Sequence, residues 1–279
     1  MMPNLSKTSD AFLHDAGSAV DCHFHVFAEN VAVAGARYCP SYAAELKDWI
    51  VKAQASGVQR GLLVQPSFLG TDNSQMLRAL ATSGHALRGV AVIDPATPAS
   101  EVHAMHAQGV RGIRLNLAGI NHDVRAWRQA DELWLSMKAL GWHLELHTDQ
   151  GALPDVLMQL LPAIPATLCL VLDHFGKPFT GSASDATVVA VRQMASDGRP
   201  VYVKLSGAYR IGNLDPKVLA QQWLETLGPN RLLWGSDWPC TNHEALADYA
   251  QLYAKLEDWL EDAQCVHQIR VDNPHRLLA

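Results

Sequence analysis

The chain has 279 residues, 48% of them hydrophobic and 18% charged, with a formal net charge of −6. This length suits one α/β barrel, and the apolar share is enough for a large core, which excludes disordered and fibrous classes. Mild acidity argues against nucleic acid as a partner, and no apolar run approaches the roughly 20 residues that span a bilayer.

The opening "MMPNLSKTSDAFLHDAGSAV" has no apolar centre, so residues 1–16 read as a loose tail and not as a signal peptide. Eight short apolar runs then follow: "AVDCHFHV", "RGLLVQPS", "LRGVAVID", "VRGIRLNL", "WHLELHTD", "TLCLVLDHF", "VYVKLSG" and "LLWGSDWP". Helical periodicity lies between them. In "AAELKDWIVKAQAS", Leu46, Trp49, Ile50 and Ala53 fall at i, i+3, i+4 and i+7, and "WRQADELWLSMKAL", "PKVLAQQWLETLG" and "ADYAQLYAKLEDWL" also read as helices. The terminal "DNPHRLL" reads as an N-capped closing helix. Strand candidates recur about every 30 residues, the length of one βα unit. Continuous apolar strands alternating with helices predict α/β class, a single (β/α)8 TIM barrel domain over residues 1–279. A doubly wound open sheet is the alternative, but no G-x-G-x-x-G follows the first strand.

Strand parity sorts the polar groups by face. Asp21, His23 and His25 share one face of the first strand by this rule, and Cys22 points away as a small core residue. Gln65 pairs with Ser67, Arg114 with Asn116, and Lys204 with Ser206, while His143, Glu145, His147 and Asp149 line up on the fifth strand. Asp237 ends the eighth. These groups gather toward strand C-termini, where TIM-barrel active sites lie. His143 sits deeper and reads as core, Arg111 has outward parity, and His103, His106 and His122 read as surface residues. Trp238 fits either pocket lining or packing. Five scattered cysteines without a C-x-x-C pair exclude a disulfide framework and predict a reducing cytoplasm.

His23 and His25, with His147, His174 and Asp237, form a set that suits two chemistries. Imidazoles and a carboxylate can hold one divalent ion such as zinc. Without a metal, the carboxylate can take a proton from water while an imidazole polarises a carbonyl. H-x-H alone is weak, but H-x-H first, "LDHFGKP" late and "GSDWP" near the end is a far more specific order.

Those segments, with "VQPS", "GVRGIRLNL", "VKLSGAYR" and "NPHRLL", resemble the amidohydrolase superfamily, in the branch of 2-pyrone-4,6-dicarboxylate lactonase and sugar lactonases. The resemblance implies a somewhat distorted barrel and a hydrolase that opens a small-molecule lactone, in aromatic compound catabolism. It carries over His23, His25, His174 and Asp237 as catalytic residues, or as ligands of one zinc. No lysine or glutamate ends the fourth strand, so the bridging ligand of two-metal relatives is missing and either one metal or none is required. Arg114, Arg210, Lys177, Tyr38, Ser67 and His147 are the expected substrate-binding groups. The branch also expects an arginine soon after the fourth strand, yet none occurs before Arg125. Either Arg125 or Lys177 substitutes, or the substrate carries one carboxylate or is a sugar lactone. The alternatives are a sugar lactonase, or a zinc-dependent hydrolase or decarboxylase on the same barrel. A homo-oligomer is a further expectation, and no membrane partner is expected.

Overall fold

Strands that are apolar on both faces need cover on both, and the chain meets that need by alternating each strand with a helix. The computed structural model describes residues 17–120 and 123–278, so the expectations for residues 1–16 and for His122 lie outside the described residues. In chain order the elements are β1 (Ala19–Phe24), α1 (Leu46–Ala55), β2 (Val58–Val64), α2 (Ser74–Thr82), β3 (Leu87–Ala91) and α3 (Ala99–Ala107). Then come β4 (Val110–Asn116), α4 (Asp131–Ala139), β5 (His143–His147), α5 (Leu153–Leu160), β6 (Cys169–Leu172) and α6 (Ala186–Ser196). The last are β7 (Val201–Leu205), α7 (Pro216–Leu227), β8 (Leu232–Trp234), α8 (Tyr249–Leu260), α9 (Ala263–His267) and α10 (Asn273–Leu278). The eight strands pair in parallel and in sequence order. β8 stops at Trp234, and the seam is closed beyond it. The Asp237 N–H donates to the His23 carbonyl (2.7 Å) and the His25 N–H to that of Trp238 (2.9 Å). This is the expected (β/α)8 barrel, with its distortion at the β8–β1 seam.

The main core lies between strands and helices, where Trp134, Trp142, Trp223 and Trp234 are fully buried. Asp185, Asp215, Asp248 and Asp262 cap α6, α7, α8 and α9 by accepting from backbone N–H groups, each worth about 1 kcal/mol. "DNPHRLL" does not begin a helix as expected. It continues α9 through a π-helical turn at Gln268–Asp272, and Asn273 instead donates to the carbonyls of Pro229 and Leu232, both at 2.7 Å. All five cysteines are free. Among the described residues no helix is long and apolar enough to cross a membrane.

Parity fails within β1. β1 advances three positions, from Asp21 to Phe24, while β2 advances two, from Gly61 to Leu63. This bulge lets Cys22 and His23 both turn inward. Cys22 packs with Val20, Val171, Tyr202 and Leu233 inside the barrel. Asp21 turns outward, where its carboxylate accepts from Trp49 of α1 (3.0 Å) and Tyr249 of α8 (2.9 Å).

Candidate active site

The bulge brings His23 beside His25, with ring centroids 5.0 Å apart, and β6 adds His174 at 4.8 Å from His23. Asp237, on the turn after β8, sends Oδ1 to within 3.6 Å of His23 Nε2 and 3.5 Å of His25 Nε2. All four residues are buried. Asp237 and His174 both have left-handed backbone, at φ 56° and 50°. Such strain costs about 1–3 kcal/mol and persists where surrounding structure enforces it.

Asp237 is gripped from one side only. Its Oδ2 accepts from Tyr209 and from Arg210 Nε, each at 2.6 Å, while Oδ1 is buried without a hydrogen-bond partner. Burial alone would raise this carboxyl, but the Arg210 guanidinium on Oδ2 is the largest opposing influence, and the group is held well below the usual carboxylate range. His25 Nδ1 lies 2.7 Å from the Val64 carbonyl, which only accepts, so Nδ1 carries a proton and in the neutral ring Nε2 presents a lone pair. Two acceptors, His25 Nε2 and Asp237 Oδ1, therefore face each other. A bound water or a cation satisfies both.

A layer of buried ions lies beneath. Lys204 donates to Glu145 (2.5 Å) and also approaches Asp173 (3.2 Å) and His23 Nδ1 (3.2 Å), and Asp173 accepts from Arg114 Nε at 2.7 Å. Burial disfavours the Lys204 ammonium, yet Asp173 and Glu145 keep its pKa above normal. Asp173 is likewise opposed by burial but held low by Lys204 and Arg114. His23 Nδ1 thus faces a donor in Lys204 and an acceptor in Asp173 (3.3 Å), so either tautomer is supported. Burial, reinforced by Lys204 and Arg114, pushes the His23 pKa down to about 3. His147 and His174 are also driven well below normal by burial, so these rings are neutral. Arg114 can only donate, so His147 Nδ1 accepts (3.0 Å) and its buried Nε2 is an N–H without a partner. His143, bonded to Glu145 at 3.2 Å, lies deeper, as its parity implied.

His23 Nε2 and Asp237 Oδ1 are both orphaned and buried, and His23, His25 and Asp237 place ligand atoms within 4.8 Å of one another. This donor set fits one divalent ion. Gly207 (φ 56°) lets the site close. A Cβ there would lie 2.6 Å from His174 Nδ1 and 3.0 Å from Asp237 Oδ2.

The expected substrate-binding groups divide. Arg114 and Arg210 are in the site, but their charges are committed to Asp173 and Asp237. Lys177 is half-buried at the mouth, Ser67 is exposed after β2, and Tyr38 joins Tyr42 in donating to Glu244 Oε1 (2.6 and 2.9 Å). Arg125 pairs with Asp123 and is 79% exposed, so it does not replace the missing arginine. His106 is not a plain surface residue. It accepts from Trp142 Nε1 at 3.0 Å, and burial lowers its pKa to about 4. Arg111 binds backbone carbonyls of Val110 and His106 on the outer side.

Two contributors escaped the sequence reading. Asp173 precedes His174 and has the inward parity of Val171. Tyr209 adjoins Arg210. Each was legible only as the neighbour of a residue already chosen.

Comparison with known proteins gives a match to the amidohydrolase family model over residues 20–279. The 2-pyrone-4,6-dicarboxylate hydrolase of Comamonas testosteroni is 29% identical over 280 residues, covering 93% of this chain and 89% of that protein. The 4-sulfomuconolactone hydrolase of Rhizobium radiobacter is 29% identical over 273 residues, with the same coverage, 93% and 89%. An Acinetobacter baumannii structure assigned as a 2-pyrone-4,6-dicarboxylic acid hydrolase, with citric acid bound, superposes with a TM-score of 0.82 at 30% identity, covering 94% of this chain and 99% of that one.

Proposed function

The chain belongs to the amidohydrolase family, and from that premise we propose that it is a hydrolase that opens the ring of a carboxylated lactone, with Asp237 managing the proton of the attacking water. The observation that carries this reading is the facing pair of Asp237 Oδ1 and His25 Nε2, 3.5 Å apart and both acceptors. A water hydrogen-bonded there presents its lone pair to a carbonyl carbon held above it. As the new C–O bond forms, the water protons become strongly acidic, and Asp237 takes one even though Arg210 makes it a weak base at rest. The oxyanion is met by the unpartnered His147 Nε2–H and by His23 in its Nε2–H tautomer. The ring C–O bond then breaks, and Asp237 returns its proton to the departing oxygen. Lactone and water give the open hydroxy acid, with no other reactant.

His23, His25 and Asp237 would hold a divalent ion such as zinc, which when bound polarises a carbonyl and acidifies water. Lys177 lies in electrostatic reach of the Asp149 carboxylate and then of Arg210, Arg114 and Arg37, a surplus of positive charge that favours an anionic substrate over a neutral sugar lactone. The pyrone and sulfomuconolactone hydrolases among the similar proteins support the same class. The test is acid release from a panel of 2-pyrone-4,6-dicarboxylate, monocarboxylated pyrones and neutral aldonolactones, run with and without chelation and with metal content measured. Carboxylated lactones should open fastest. If no lactone opens, the reading fails.

A further inference from the structure

We propose that Lys204 is a positioning residue whose ammonium holds the buried His23 ring in its Nε2–H tautomer, so that His23 offers the site a hydrogen-bond donor and becomes a metal ligand only by moving that proton to Nδ1. The kinetic consequence rests on the lactonase reading above, whereas the tautomer does not. Matching donors to acceptors decides between the two tautomers that the flanking groups allow. An ammonium has three N–H donors and accepts nothing. Three side-chain acceptors stand around Lys204 Nζ: Glu145 Oε1 at 2.5 Å, Asp173 Oδ1 at 3.2 Å and His23 Nδ1 at 3.2 Å. Burial opposes the Lys204 charge, but the two carboxylates sustain it. A proton on Nδ1 would set an imidazole N–H against an ammonium N–H, and a donor left unmatched at this depth loses its hydration without return.

Asp173 is the competing acceptor, with Oδ1 3.3 Å from His23 Nδ1. That oxygen receives no hydrogen bond, whereas Lys204 lies in hydrogen-bonding position for Nδ1. Geometry and donor count therefore agree on Nε2–H. This hydrogen faces the site, where Nε2 is buried and unpartnered, 3.6 Å from Asp237 Oδ1. It is then ready to meet an oxyanion formed beside the Asp237–His25 pair. Without Lys204, the remaining polar neighbour of Nδ1 among the described residues is Asp173, an acceptor, and the proton moves toward it. Nε2 then turns a lone pair toward His25 and Asp237, which completes a three-ligand set. Lys204, on β7 and out of reach of the reacting atoms, thus chooses between a donor and a ligand role for one ring on β1.

The test is long-range proton–nitrogen correlation spectroscopy at neutral pH on chelated protein with isotope-labelled histidine, the His23 signals being assigned by their loss in His23→Gln. Wild type should show Nε2 protonated and Nδ1 displaced as an accepted hydrogen bond displaces it. Lys204→Met combined with Glu145→Gln, which keeps the net charge, should show the proton on Nδ1, and Lys204→Met alone is the second variant. In either variant zinc should bind about tenfold tighter by calorimetric titration, the worth of one mismatched donor. On a lactone that wild type opens, kcat should fall about 100-fold with KM changed much less, as for loss of an oxyanion donor. A wild-type ring protonated at Nδ1 overturns the lock whether or not the variants fold. A folded variant that keeps Nε2–H, or keeps wild-type zinc affinity, also overturns it. If wild type opens no lactone, the lactonase reading falls by itself, and the spectra still decide the lock.

Discussion

Replacing Asp21 by Asn tests the outward turn of β1 at its bulge. Asp21 Oδ1 accepts from the backbone N–H groups of Ser236 (2.9 Å) and His23 (3.1 Å), and Oδ2 from Trp49 Nε1 (3.0 Å), Ser236 Oγ (2.6 Å) and Tyr249 OH (2.9 Å). An asparagine keeps one oxygen. In its cheapest orientation the amide NH2 replaces Oδ2, and the two hydroxyls rotate to accept from it. The Trp49 N–H cannot rotate away, and a stranded buried donor costs about 1–3 kcal/mol. Bonds to the remaining oxygen lose their charge assistance, about 1 kcal/mol each. Burial raises the Asp21 pKa, so neutralising it returns roughly 1 kcal/mol of desolvation. The balance is a loss of about 2–4 kcal/mol, or roughly 3–7 °C in Tm for a chain this large. Urea unfolding followed by circular dichroism reads it directly. A midpoint shift worth less than about 0.5 kcal/mol, the size of an ordinary surface substitution, would refute the five-donor picture. Turnover should fall as well, because Ser236 leads into the turn that presents Asp237.

Gly207→Ala should fold but lose more than about 100-fold in kcat, because its methyl displaces His174 and Asp237 by more than their catalytic tolerance; steady-state kinetics beside a thermal melt checks this. Lys204→Met takes the cation from buried Glu145, while Asp173 keeps Arg114, and should cost about 3–5 kcal/mol, with Glu145→Gln in the same chain recovering part of it in urea unfolding. Acid should destabilise the fold early. His23 (folded pKa about 3), His147 and His174 have folded pKa values below their unfolded ones. Below about pH 6.5 the unfolded chain therefore binds protons that the fold refuses, and stability falls with pH by up to about 4 kcal/mol per unit. Asp173 and Asp237, also depressed, add to the loss below about pH 4. A Tm unchanged between pH 7 and 5 would contradict neutral buried histidines.

The barrel was legible because apolar runs and helical periods alternate along the chain, and His25, His147, Arg114 and Lys204 obey strand parity. His23 shares its inward face with His25 as expected, but not with Asp21. Parity put it with Asp21, whereas a bulge turns it inward and sends Asp21 to the helices. A one-residue insertion leaves no mark in the alternation of a strand buried on both faces. Arg210 was read as a ligand anchor because its charge was visible, but its partner, 27 residues away, was not.

The central claim is that Asp237 carries the proton in lactone hydrolysis. The direct measurement is kcat of Asp237→Asn on 2-pyrone-4,6-dicarboxylate, with circular dichroism and Tm recorded on the same sample. A folded variant slowed by about 10²–10⁴, the usual worth of a general acid–base group, is the predicted result. A folded variant with unchanged kcat would contradict it.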